Sequence, residues 1–221
     1  MLWTKTPRDP LFGFKRDSYP SMAIIISADE IKKELPNYRP DLAESYHHES
    51  ARKADQQFYE AIKDDSYQSI ILLCGGSASG KTEFLVTHLK NEKGVVLDTT
   101  LATVEGARIK ITKVLKLKKQ IKICSIIPDD LKRAFIAFLN RDRKFSDIHF
   151  YKTHSGSRNT LLWIANNFPQ ITMHIIESSY TNKQELKFAE IKFENRKQLL
   201  EYLHSLLMTE NDIISSIQSQ F

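Results

Sequence analysis

The sequence predicts a three-layer α/β fold, a parallel sheet with helices on both faces, and three observations lead there. Short β-branched apolar runs alternate with stretches of helical period long enough to cross from one strand to the next. One run, Ser69–Cys74, is apolar almost without interruption, as in strands covered on both faces, and it breaks at once into Gly75-Gly76. Composition permits such a core. With 221 residues, 41% hydrophobic and 27% charged, the chain can bury one interior of ordinary size, which excludes collagenous, fibrous and disordered classes.

The elements follow in order. Residues 1–21 mix prolines, basic residues and aromatics without a period and read as an irregular arm; residues 22–221 read as a single domain. A strand over 22–27 leads into a short helix over 29–35, stopped by Pro36. Leu42, Tyr46, Ala54, Phe58, Ala61 and Ile62 recur at helical spacing, predicting a long helix over 41–64. After the Ser69–Cys74 strand come a helix over 81–89, a strand over 94–98 and a helix over 104–117. The pattern continues with a strand over 121–127, a helix over 128–143 with Pro128 in its first turn, a helix over 159–167 and a strand over 171–177. Residues 187–193 suit an added edge strand, and 195–208 an amphipathic helix with Leu199, Leu200, Leu203 and Leu207 inward.

Charge and cysteine usage narrow the function classes. Lys and Arg number 32 against 27 Asp and Glu, giving +5, which favours anionic ligands without singling out nucleic acid. The two cysteines, Cys74 and Cys124, sit inside strand-like runs, so neither a disulfide framework nor a cysteine metal site is expected, and a reducing compartment fits. No apolar run approaches the roughly 18 residues of a membrane span, so no membrane association is expected and the expected location is the cytoplasm.

In parallel sheets the ligand sits beyond the carboxyl ends of the strands, which draws attention to Asp29, to residues 75–82, to Asp98 through Thr100, and to the segments after Ile127 and Glu177. The octapeptide Gly75-Gly76-Ser77-Ala78-Ser79-Gly80-Lys81-Thr82 matches the G-x-x-x-x-G-K-[ST] phosphate loop in full. Its glycines let the backbone turn tightly, so that successive N–H groups and a helix N-terminus point at nucleotide phosphates. Lys81 would meet the β and γ oxygens, and the Thr82 hydroxyl would reach Mg²⁺. ATP or GTP with Mg²⁺ is therefore the expected cofactor. A guanine-reading Asn-Lys-x-Asp segment is missing, since Asn182-Lys183 is followed by Gln184 and Glu185. Within this class the fold becomes a P-loop NTPase-like sheet.

Further residues resemble one family of such enzymes. Ser27-Ala28-Asp29-Glu30-Ile31-Lys32, then Leu35-Pro36-Asn37-Tyr38, then His47-His48-Glu49-Ser50 resemble the acceptor half of zeta toxin-type kinases. Leu97-Asp98-Thr99-Thr100 is similar to that family's Asp-Gly-Thr strand end, with Thr99 in place of glycine. Pro128-Asp129-Asp130 before a helix that ends in arginines, then His154-Ser155, continue the likeness. The order of units differs: in the family the phosphate loop comes first, whereas Asp29 here precedes Gly75, so the strand order is expected to be permuted. The resemblance implies γ-phosphate transfer to a hydroxyl of a nucleotide sugar such as UDP-N-acetylglucosamine. Asp29 would orient or deprotonate that hydroxyl, and Lys81 would hold phosphate. Arg141 and Arg143 would form a cationic lid, with Arg133 an alternative register. Lys32, Glu49 and Ser50 would line the acceptor site, and Asp98 with Thr100 would stand beside the metal. A cognate antitoxin is the implied protein partner.

Plainer readings stand beside these. Asp29 also suits a helix N-cap, Asp98 a turn, and Arg141 and Arg143 a helix C-terminus. His47, His48 and His154 read as structural or solvated rather than as metal ligands. Residues 108–122 carry Arg108, Lys110, Lys113, Lys116, Lys118, Lys119 and Lys122 without an acid: a solvated face, or the grip of a polynucleotide kinase. A nucleotide-binding interaction protein without turnover is the third alternative.

Overall fold

The computed structural model describes residues 23–181 and 185–219. The arm expected over 1–21 and the Asn182-Lys183 segment lie outside the described residues. Among the described residues six strands form one sheet: β1 (Ile24–Ser27), β2 (Ser69–Cys74), β3 (Val95–Asp98), β4 (Gln120–Pro128), β5 (Thr172–Tyr180) and β6 (Leu186–Ile191). Their spatial order is β1-β3-β2-β4-β5-β6. The first five run parallel, and β6 pairs antiparallel with β5 at the edge. Thus the first strand of the chain lies beside the third, and the strand feeding the glycine loop sits between β3 and β4. Register brings Ser27, Asp98, Leu73 and Cys124 level across four neighbouring strands, so their carboxyl ends open on one rim.

Helices cover both faces, as the uninterrupted apolar run of β2 requires. Ile70 and Leu72 meet α2 (His47–Ala61), α4 (Val104–Lys116) and α6 (Asp147–Asn167) through Phe58, Ile111 and Leu161. Ile71 and Leu73 face the other way, onto Phe84 of α3 (Lys81–Phe84) and onto Leu85 and Leu89 of the π-helical turn that prolongs it. A third cluster joins α5 (Leu131–Leu139), α6 and α8 (Glu210–Gln218) through Phe135, Phe138, Phe150 and Ile213. Cys74 and Cys124 are free and buried. Among the described residues no helix is long and apolar enough to cross a membrane.

Several boundaries depart from expectation for identifiable reasons. The helix expected from 41 begins only at His47: Pro40–Leu42 forms a separate tight turn, tied back by the Tyr46 hydroxyl donating to the Pro36 carbonyl. Pro128 closes β4 rather than opening a helix, because β4 stays paired with β5 as far as Ser178. Asp130 then caps α5 by accepting from the Lys132 and Arg133 N–H groups, and the helix ends at Leu139. Arg141 and Arg143 consequently lie in the connection just past the Asn140 C-cap of α5, which corrects the expected extent of the helix to 143. The helix expected over 159–167 starts far earlier, at Asp147. The one expected over 195–208 is α7 (Arg196–Ser205), capped by Asn195. The sequence reading did not anticipate α8, which opens with a Thr209/Asp212 capping box.

Candidate nucleotide and acceptor cleft

The glycine loop leaves β2 through Gly75, whose φ of +140° and close approach to β4 both demand glycine: a Cβ there would stand 2.3 Å from the Ile126 carbonyl oxygen. Ala78 and Gly80 also have positive φ, 60° and 92°. The loop is tied down from outside. The Ser77 N–H donates to Thr153 Oγ1 at 3.1 Å, the Ser77 carbonyl faces His154 Nε2 at 2.8 Å, and the Ser178 hydroxyl donates to the Ser79 carbonyl at 2.8 Å. Lys81, first residue of α3, folds back over the loop and donates to the Gly75 and Gly76 carbonyls at 2.9 and 3.0 Å. Burial pushes its ammonium below the usual value, opposed chiefly by Asp98.

The opposite wall is built from charge. Ser27 caps α1 (Ala28–Lys33) by accepting from the Asp29 N–H, so Ser27 is the cap and the Asp29 carboxylate is left for other partners. Those partners are Arg143, in an ion pair with Oδ2, and Lys32, whose Nζ lies 3.3 Å from Oδ1. Burial alone would raise the Asp29 carboxyl; Arg143 and Lys32 outweigh it and hold the group below the usual carboxylate range. Lys32 is fully buried, its ammonium over the Phe145 ring. Asp98 shows the reverse balance: burial raises its carboxyl despite Lys81 nearby, and among the described residues a long 3.4 Å bond from the Ser27 hydroxyl is the one hydrogen bond its carboxylate accepts.

Asp29, Ser77, Ser79, Lys81, Thr82, Asp98, Thr99, Thr100, Arg141 and Arg143 all face one cleft on the carboxyl rim. Gly75, Gly76, Ala78 and Gly80 shape the loop beneath it. Lys32 acts from behind the wall. Two expected acceptor residues stand elsewhere: Glu49 is exposed and paired with Lys53, and Ser50 is buried, donating to the His47 carbonyl within its own helix. The turn of α2 that does face the cleft presents His47, Ala51, Ala54 and Asp55, one helical face on which residue 49 has no place. Arg133 reaches the Tyr180 carbonyl instead of the cleft. The segment after Glu177, singled out in the sequence, supplies the loop anchor Ser178, whereas the sequence reading missed the anchor Thr153 and the aromatic wall of Phe145 and His149. His149, against Phe145 and His47, is pushed down to about 4 by burial and by His47.

The basic run is largely spent within the chain. Arg108 pairs with Glu105, Lys110 with Asp55, Lys113 sits 3.4 Å from the Tyr59 ring centroid, and Lys119 donates to the Asp64 carbonyl.

No protein-family model and no curated protein matches the chain. Among solved structures it is similar to the AvrRxo1-ORF1:AvrRxo1-ORF2 crystal structure with sulphate ions, at 11% identity and a TM-score of 0.47, over 72% of this chain and 70% of that one. It is likewise similar to the AvrRxo1-ORF1:-ORF2 structure with ATP, at 11% identity and a TM-score of 0.46, over 76% of this chain and 80% of that one.

Proposed function

We propose that the chain is a phosphotransferase that uses ATP or GTP with Mg²⁺ to phosphorylate a hydroxyl group, the acceptor being a nucleotide sugar such as UDP-N-acetylglucosamine. One observation carries the reading: Asp29, from the first β-α unit, and Lys81, from the second, open on the same cleft although 52 positions of sequence (81 less 29) separate them. Because β1 lies beside β3 rather than beside the loop strand, a unit placed early in the chain still delivers its carboxylate to the shared rim. That is what a permuted order of the zeta toxin-type arrangement needs.

The residues fit the cofactor. A side chain at Gly75 would strike the β4 backbone and one at Gly80 would strike Leu186 of β6, so the tight path of the loop needs both glycines, and Lys81 is held by carbonyls that phosphate oxygens can replace. Thr82 and Asp98 would hold Mg²⁺; among the described residues no group of three or more His, Cys, Asp or Glu is placed to hold a metal ion, so phosphate oxygens and water would complete its shell. The bound magnesium nucleotide supplies the phosphoryl group and the divalent charge that eases its transfer. Lys81, Arg141 and Arg143 bring cationic charge to the rim where negative charge accumulates. Asp29 takes the proton of the acceptor hydroxyl at Oδ2, once Arg143 turns from that oxygen toward phosphate. A neutralising protein partner and a cytoplasmic setting belong to the same reading.

Transfer of labelled γ-phosphate to nucleotide sugars tests it with Asp29→Asn and Lys81→Ala. Both variants should lose transfer, and undiminished transfer by either one removes that residue's role. The polynucleotide reading draws less support, since Arg108, Lys110, Lys113 and Lys119 are already engaged within the chain.

A further inference from the structure

The first turns of α6 bury polar groups that the proposed chemistry does not use. His154 is 0% exposed and Arg158 5% exposed, and among the described residues Arg158 has no carboxylate partner. Its Nη1 donates to His154 Nδ1 and to the His154 carbonyl, each at 3.1 Å. A guanidinium can only donate, so His154 Nδ1 is an acceptor and the ring proton sits on Nε2, 2.8 Å from the Ser77 carbonyl. Burial, reinforced by Arg158, holds the ring neutral, its value well below the usual one. One residue earlier, Thr153 Oγ1 accepts the Ser77 N–H. Ser77 is therefore gripped at both its donor and its acceptor from a single helical turn.

The consequence follows from peptide geometry. No cis peptide bond occurs among the described residues, and in a planar trans peptide the Ser77 carbonyl and the Ala78 N–H point in opposite directions. Fixing the carbonyl on His154 turns the Ala78 N–H away from α6. The bond from Ser178 to the Ser79 carbonyl likewise turns the Gly80 N–H away from β5. Ring and loop are also in contact at Gly76, where a Cβ would stand 2.4 Å from the His154 ring. We infer that His154 is a positioning residue for nucleotide binding, its Nε2–H aiming a loop amide at phosphate, and that Arg158 selects the tautomer able to do so. This rests on the phosphate-loop reading above.

The test compares MgATP affinity, by calorimetry, for the full chain and for His154→Leu, His154→Gln, Arg158→Met and Lys81→Ala. Glutamine can return a donor to the Ser77 carbonyl and leucine cannot. His154→Leu should weaken binding by about tenfold or more, His154→Gln should recover to within about threefold, and Arg158→Met should fall between them. Unchanged affinity in His154→Leu, or equal losses in the Leu and Gln variants, overturns the inference. Should His154→Leu not fold, His154→Asn, too short to reach Ser77, takes its place. A wild-type chain whose MgATP affinity is no better than that of Lys81→Ala would instead sink the nucleotide reading itself. Nitrogen NMR of the ligand-free protein reads the tautomer directly: a protected Nε2–H is expected, and an Nδ1-protonated ring overturns the assignment.

Discussion

The two walls of the cleft are held by different kinds of bond. On the loop side Ser77 and Ser79 are fixed by Thr153, His154 and Ser178, neutral groups exposed by 5% or less. On the facing side Asp29 is held by Lys32 and Arg143, and the side chains of Asp29 and Arg143 are 38% and 25% exposed. Buried neutral hydrogen bonds are short-ranged and indifferent to salt, whereas a partly exposed ion pair is screened and exchanges partners readily. The loop wall is thus formed before any ligand arrives. The acid wall can re-pair when an anion enters, because Arg143 meets Asp29 through Nη1 alone and keeps further N–H donors for a second anion.

The contrast can be broken most severely at its two centres. Lys81→Ala should abolish both MgATP binding and transfer, while Asp29→Asn should cut transfer by about 10²–10⁴ and leave MgATP affinity nearly intact. Calorimetry beside a transfer assay checks this, and parallel loss of binding in both variants would erase the distinction between the walls. Arg143→Ala comes next, with kcat lower by about a hundredfold. Its sharper signature is in the pH profile: Arg143 helps hold the Asp29 carboxyl below the ordinary 3.8, so its removal should move the acid limb of activity to higher pH, with Arg143→Lys restoring part of the shift. An acid limb that stays put would show that Asp29 is not the titrating base.

Stability measurements separate the walls further. Thr153→Val leaves the buried Ser77 N–H without its acceptor and should cost about 1–3 kcal/mol in denaturant melts, equally at low and high salt. The smallest effect is expected outside the cleft, where the exposed Glu44 accepts from the Ser146 N–H and hydroxyl. These bonds lower the Glu44 carboxyl, so its contribution is present above the ordinary 4.5 and is lost as pH falls through the lowered value. Glu44→Gln should therefore flatten the melting temperature against pH below 4.5 and barely change it at neutrality.

What could be read from the sequence follows the same division. The octapeptide from Gly75 to Thr82 was legible because its spacing is dictated by phosphate geometry, and the strands because their apolar faces must be buried. The first half of α6 was not. It buries Thr153 and His154 against the loop and Ser157 and Arg158 behind them, and a helix that turns a polar face inward shows no apolar stripe. Asp29 was found through its flanks, yet the partner that defines its charge, Arg143, was assigned to the end of a helix that stops at Leu139. Glu49 illustrates the converse: its neighbours matched a motif, but the helical face that reaches the rim belongs to His47, Ala51, Ala54 and Asp55.

The paired register of β2 and β4 sets Leu73 opposite Cys124 and Cys74 opposite Ser125, and burial pushes both thiols up to about 12. Neither sulfur offers a thiolate to an alkylating reagent at neutral pH while the central strands stay together. Trapping of Cys74 by such a reagent therefore clocks the parting of the seam from which the glycine turn springs, and a bound anion should slow that clock without any label being engineered into the chain.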